Sequence, residues 1–318
     1  MQMAFQAFTV PYLRLYLTAI YGHGDPLTAL AARGSYLAGA RSPMKEPALL
    51  RRWSIPLTTL ALVVGSVLAA GGASAAAHPA AHPVAHPSVR GWNPGGVMHH
   101  VSGVSPAAAG VRHADESTNW SGYAVTGGNG AFTSISASWT EPTGTCSGSR
   151  KYSSFWVGLD GFNSNSVEQT GSEVDCSGRT ALYYSWYEMF PAAPVNYTNT
   201  VRPGDHFTAS VTFSGTSTYT LKISDTTQGW SHTTTKSQTG LARSSAEVIT
   251  EAPSSSSGVL PLANFGTVTY SASAANGSSL GGQAPTQIIM INSAGTPKDS
   301  TSAINASGGF SNTWLRAN

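Results

Sequence analysis

From residue 114 onward the chain repeats one pattern: a short alternating or β-branched run, then a cluster of turn residues. "SGYAVT", "FTSISASWT", "YSSFWVGLD", "ALYYSWYEMF", "HFTASVTF", "TYTLKISD", "AEVITEA", "FGTVTYSAS" and "TQIIMIN" are separated by "TGGNG", "RPGD", "SSSSG" and "ANGSSLGG". Short strands with this punctuation and no long 3.6-residue period predict an all-β sandwich or barrel without a helix of any length. Alternation also sorts faces. In "FTSISASWT", Thr133, Ile135, Ala137 and Trp139 oppose Phe132, Ser134, Ser136 and Ser138, so one face is apolar and the other carries hydroxyls, as on a sheet with one wet side. In "SAEVITEAP", Glu247, Ile249 and Glu251 share a face, which sets two carboxylates of like charge on one side of a strand.

The part before residue 114 has a different composition. "MKEPALLRRWSIPLTTLALVVGSVLAAGGASA" carries a basic stretch at Lys45, Arg51 and Arg52, an apolar run from Trp53 to Ala70 and the small triplet Ala73-Ser74-Ala75. That is the plan of a secretory signal peptide, expected over residues 44–77 with cleavage near Ala75 to Ala77. Pro56, Thr58, Thr59, Gly65 and Ser66 interrupt the run, a poor fit to the ~20 apolar residues of a spanning helix, so no stable membrane insertion is expected after cleavage. Residues 1–43 precede Met44 and read as an upstream extension or a misassigned start. Residues 78–113, rich in Pro, Ala, Gly and His, read as a flexible pro-segment or linker, because prolines forbid a regular helix and few large apolar residues are present. The product is expected outside the cell, with a single domain over residues 114–318.

Charge narrows the partners. The whole chain has a formal charge of +2, but from Ala114 onward 13 acidic residues stand against 9 basic ones, a net −4. No basic patch interleaved with aromatics appears, which argues against nucleic acid. A domain rich in Ser, Thr and Gly has few ion pairs to lose on acidification, so acid tolerance is expected. In an oxidising compartment Cys146 and Cys176 are expected to form a disulfide, whose loop of about 30 residues is worth ~3 kcal/mol. The domain has only His206 and His232 to complete a metal site, and neither sits in a ligand pattern, so no metal and no cofactor is expected.

Catalytic chemistry must then come from carboxylates. Neither histidine lies near a G-x-S-x-G elbow, and both cysteines are committed to pairing. Asp160, Glu168, Glu173, Asp175, Glu188, Glu247 and Glu251 remain. "FWVGLDGFNSNSVEQTG" sets Trp156, Asp160 and Gln169 in a strand, turn, strand arrangement, and "YYSWYEMFP" crowds aromatics around Glu188. Aromatics mixed with acids also suit sugar binding, so a secreted carbohydrate-binding sandwich without hydrolase activity is the alternative reading.

Six segments in order, "TNWSGYAV", "SFWVGLDG", "EQTG", "YYSWYEMFPAAP", "AEVITEAP" and "LANFGTVTY", resemble the glutamic peptidases, or eqolisins, over nearly all of residues 117 to 290. The resemblance implies a secreted acid endopeptidase acting on proteins or peptides, with a two-sheet antiparallel β-sandwich of the lectin-like, concanavalin-like kind, and a monomer is expected. It also implies a catalytic glutamine just before Thr-Gly, here Gln169, and a catalytic glutamate closing Ala-Glu-x-x-x-Glu, here Glu251. Trp120, Trp156, Asp160 and Glu188 are implied as substrate-binding positions that line or support the cleft; alternation in turn makes Glu247 a same-face neighbour expected to raise the pKa of Glu251 by like charge. The chain departs from the common Ala-Glu-Trp-Ile-Val-Glu form at Val248 and Thr250, continues with Ala252-Pro253, and is expected to carry a slightly long loop, "TGSEVDC", after Gln169.

Overall fold

The computed structural model describes residues 95–101 and 114–318, with the backbone of Trp92–Asn93. The signal segment, the extension before it and most of the pro-segment lie outside the described residues. Two large sheets face each other. The first runs, edge to edge, His100–Val101, Ala114–Ser117, Thr286–Met290, Trp120–Thr126, Ser245–Glu251, Lys151–Leu159, Val167–Ser177, Thr180–Phe190 and Val195–Asn196. The second runs Trp230–Ser237, Thr218–Asp225, His206–Ser214, Ser134–Thr140, Thr267–Ala275, Phe310–Trp314 and Asp299–Thr301. Pairing is antiparallel apart from the parallel contact of Thr286–Met290 with Ala114–Ser117. Among the described residues the sole helical element is a 3-10 turn at Leu280–Gly282. Of the sandwich or barrel that alternation allowed, the fold is the two-sheet sandwich that the resemblance implied.

The core between the sheets is built from alternate residues of both. Ile135, Ala137 and Trp139 meet Phe207, Ala209 and Val211 within the second sheet, and Tyr123, Phe155, Val157, Val174, Ala246 and Val248 face them from the first. In Ser134–Thr140 the serines are half-buried and the apolar residues buried, as alternation required. Cys146 and Cys176 are joined in a disulfide that ties the loop after Thr140 to the end of Val167–Ser177.

The first sheet departs from the one-wet-side expectation. Every residue of Ser245–Glu251 is buried, as is nearly all of Lys151–Leu159. Its outer face carries a second apolar cluster: Trp120, Ala124, Trp156, Val167, Tyr184, Trp186, Ile249 and Ile288, with Met98 and Phe162 packed on top. The expected loop "TGSEVDC" is instead the middle of an eleven-residue strand, Val167–Ser177, paired along its whole length with Thr180–Phe190. Its Gly, Glu and Asp look like turn residues, but ladder bonds on both sides hold them extended.

Candidate active site

Register fixes how the outer face of the first sheet is laid out. Residues opposite one another form rows across the strands, and every second residue starts a new row. One row holds Ala124, Glu247, Gly158, Gln169 and Glu188. The next holds Gly122, Ile249, Trp156, Gly171 and Trp186, and the third holds Trp120, Glu251, Ser154, Glu173 and Tyr184. Gln169 and Glu251 thus lie on a diagonal, two strands apart, with Trp156 between them. Glycines at 158 and 171 make room for the indole: a Cβ on Gly158 would come 2.8 Å from its ring, and one on Gly171 would meet its Cβ at 2.5 Å.

Glu251 is fully buried and sits in a ring of N–H donors. Trp156 Nε1 donates to Oε2 at 2.9 Å, and Asn119 Nδ2 and the Gly96 amide donate to Oε1 at 3.3 and 3.2 Å. Burial nevertheless dominates and raises its pKa well above the ordinary carboxyl range, the three donors only moderating the rise. The like charge that adds to the rise is Glu188, not Glu247 as the strand alternation suggested. Glu247 lies in another row, where burial and then Asp160 raise its own pKa.

Gln169 directs both amide hydrogens. Nε2 donates to Glu188 Oε2 at 2.8 Å and to the carbonyl oxygen of Gly95. Glu188 therefore fixes the orientation of the glutamine amide and does not face open solvent; burial raises its pKa well above normal, with the Gln169 bond opposing the shift. Asp160 is held by backbone amides. It is wholly buried in a left-handed backbone conformation at φ 71°, and its carboxylate accepts from the Arg243 and Ser244 amides at 2.6 and 2.8 Å. It anchors the loop leading into the Glu251 strand. Trp120 stacks edge-on against Trp156 with ring centroids 4.9 Å apart and supports that indole from below.

Two participants escaped the sequence reading. Asn119 is completely buried; Nδ2 holds Glu251 and the Val97 carbonyl, while Oδ1 accepts from Ser117 Oγ and the His99 amide. The segment Gly95–Val101, expected to be flexible, lies across the diagonal instead. Its backbone finds partners along the cleft: Met98 N donates to Gly161 O at 3.0 Å, Thr118 N donates to His99 O at 3.1 Å, and His100–Val101 pairs with Ala114–Ser117. Met98, only 5% exposed, adds the apolar anchor that the composition of the segment otherwise lacks. Asn119 next to Trp120 in "TNW" was the one available signal; nothing in "NPGGVM" marks a docked strap.

The sequence profile of the Peptidase A4 family matches residues 118–312, a stretch that holds every site residue above except those of the strap. The chain belongs to that family. Aspergillopepsin-2 of Aspergillus niger is 28% identical over 218 residues, covering 61% of this chain and 77% of that protein. Among solved structures, scytalido-glutamic peptidase with a transition state analog inhibitor superposes with a TM-score of 0.54 at 23% identity, over 62% of this chain and 98% of that one. SCP-B, an eqolisin in a complex with the tripeptide Ala-Ile-His, superposes at 0.51 with 22% identity over the same shares. These two share the fold. The protein is a glutamic-type peptidase, an endopeptidase whose substrates are proteins or peptides. Among the described residues no helix is long and apolar enough to cross a membrane, and no three His, Cys, Asp or Glu are grouped to hold a metal ion.

Proposed function

We propose that Gln169 and Glu251 are the catalytic pair of a secreted acid endopeptidase that acts as a monomer without metal or nucleic acid. The observation that carries this reading is their convergence on one peptide group: the Gln169 amide reaches a carbonyl oxygen while the Glu251 carboxyl reaches the N–H of the same peptide unit. Peptide hydrolysis needs those two functions at those two atoms. Glu251, ionised, takes a proton from a water attacking the carbonyl carbon. Gln169 cannot exchange protons, but its N–H stabilises the developing oxyanion, typically by ~3 to 4 kcal/mol. Glu251 then passes the proton to the leaving nitrogen. The Trp156 and Asn119 N–H donors favour the ionised carboxylate that the first step needs, opposing the burial that raises its pKa.

Trp156 and Asn119 hold Glu251 in place, and Glu188 holds Gln169, so each reacting group has its own support. The carbohydrate-binding alternative loses its basis, since Trp120, Trp156 and Trp186 are fully buried and offer no exposed stacking platform. Digestion of casein or haemoglobin between pH 2 and 5 tests the reading. Activity should vanish in Glu251→Gln and Gln169→Glu and persist in a chelator; hydrolysis surviving either substitution would overturn the assignment.

A further inference from the structure

The contacts of the strap show how the cleft reads a peptide on the leaving-amine side of the catalytic pair. Starting from the Gly95–Gly96 peptide group on Gln169 and Glu251, the next three residues are gripped with rising selectivity. Gly96 is buried, yet a Cβ built on it would meet nothing within 4 Å, so the position has room for a side chain. Val97 is half-buried, and its carbonyl accepts from Asn119 Nδ2 at 3.0 Å. Met98 is enclosed: its N–H donates to Gly161 O at 3.0 Å, and its side chain joins the outer apolar cluster that includes Trp120, Phe162 and Ile288. His99 and His100 are exposed again. Resting on the catalytic pair proposed above, we propose that the apolar site bordered by Gly161 and Phe162 is a specificity pocket for the third residue after the scissile bond of a peptide substrate, and that it selects a large apolar side chain.

Two features fix the pocket in register with the chemistry. Asn119 brackets the third residue with one side chain: Nδ2 binds the carbonyl before it, and Oδ1 accepts from the His99 N–H after it at 2.8 Å. The same Nδ2 bonds to Glu251 at 3.3 Å, so a residue seated in the pocket is held at a set distance from the carboxyl. Gly161 turns the opposite wall. It sits at φ 94°, and a Cβ on it would come 2.3 Å from Val167 and 2.9 Å from Trp120, so glycine is required where the Gly161 carbonyl meets the Met98 amide. A charged side chain in this site would lose its hydration among apolar neighbours, whereas Met, Leu or Phe gains by leaving water. Binding energy gained three residues away aligns the scissile group and so acts on kcat/KM.

The test uses the purified full chain at pH 4, with casein digestion in parallel and internally quenched peptides of Ala and Ser that carry one Met, moved along the sequence. Mass spectrometry of the products should show the cut moving with the Met and leaving it third from the new N-terminus. With the cut position fixed, Met, Leu or Phe as third residue should give kcat/KM about 10- to 10²-fold above Gly or Asp. Phe162→Ala should lower the Met-to-Gly ratio several-fold, and Phe162→Leu should lower it less; a ratio taken within one preparation does not depend on how much of a variant folds. If casein is digested but the cut ignores the Met, or the third residue leaves kcat/KM unchanged, the inference fails and the catalytic reading stands. A preference that both Phe162 variants leave intact also overturns it, because the selecting pocket then lies elsewhere. If neither casein nor any peptide is cut, the catalytic reading fails, and this inference with it.

Discussion

The two sheets of the sandwich solve the same burial problem in opposite ways. In the second sheet, His206–Ser214 and Thr218–Asp225 alternate, with apolar side chains and Asp225 inward and His, Ser, Thr or Lys outward. In the first sheet the outward face is covered as well, and acids stand on both faces without water: Glu247, Glu251, Glu173 and Glu188 outward, Glu168 toward the core. The carboxyl oxygens of Glu168, Glu173 and Glu247 make no hydrogen bond of normal geometry, and the nearby Ser166, Ser154 and Ser245 ease their burial only in part. The first sheet thus encloses these five carboxyls, and burial raises the pKa of each.

This contrast revises the reason for expecting acid tolerance. The domain does not simply lack pairs to lose. Burial raises Glu141 to about 8, Glu168 to about 9, and Asp175 and Asp299 to about 7. A carboxyl whose folded pKa lies above its unfolded value stabilises the fold fully below the unfolded pKa, about 4, and that contribution disappears as pH rises through the folded pKa. Acid is thus the condition in which these buried carboxyls stabilise the fold most, and that contribution weakens toward neutral and alkaline pH.

The sharpest way to test the contrast is chemical. Glu251→Gln should lower kcat/KM by about 10²- to 10⁴-fold with the circular dichroism spectrum retained; a loss below tenfold would remove the first sheet's claim to the chemistry. Gln169→Ala should cost about 10²- to 10³-fold, chiefly in kcat, because the lost bond strengthens in the transition state. Opening the disulfide with Cys146→Ser and Cys176→Ser should cost about 3 kcal/mol in urea denaturation, since it ties a loop to the strand that bears Gln169. Glu168→Gln removes one dry acid, so calorimetry from pH 4 to 9 should show a shallower fall of Tm than in the parent chain; an unchanged slope would mean that Glu168 titrates alike in folded and unfolded states. At the other extreme, Thr208→Ala on the exposed face of the second sheet should change stability by no more than about 0.5 kcal/mol at any of these pH values.

How much of this was legible follows the same division. The second sheet was readable wherever one side was wet: alternation located Ser134–Thr140, His206–Ser214 and Thr218–Asp225 and named the buried face of the first. It missed Trp230–Ser237, an edge strand of Ser, Thr, His and Lys with no buried residue to alternate against. In the first sheet the pattern was less informative. Gly171, Glu173 and Asp175 suggested a loop because local preference cannot anticipate a strand paired on both sides. Glu247 and Glu251 were known to share a face, but only register separates them into two rows and gives each its own acidic neighbours. The resemblance to glutamic peptidases supplied Gln169 and Glu251, which the structure brings to one peptide group; it also offered Asp160 and Glu188, whose carboxylates accept from a loop backbone and from the Gln169 amide. The strap over the cleft had no sequence signal at all, since its order comes from partners more than 20 residues away, such as Gly161 and Glu251.

Asn119 bears on how this protein is made. "Asn-Trp-Ser" is an acceptor for N-linked sugar, yet the same side chain is enclosed and bonded to Glu251. Glycan and folded cleft exclude each other at this residue. In a cell that attaches sugars during export, each molecule enters a race between the transferase and the closure of the sheet, and every copy that loses carries an oligosaccharide where a carboxyl should be held. Yield of active enzyme from such a host is then decided by folding speed around residue 119, and Asn119→Gln does not rescue it, because the shorter amide is the one that reaches both Glu251 and the strap.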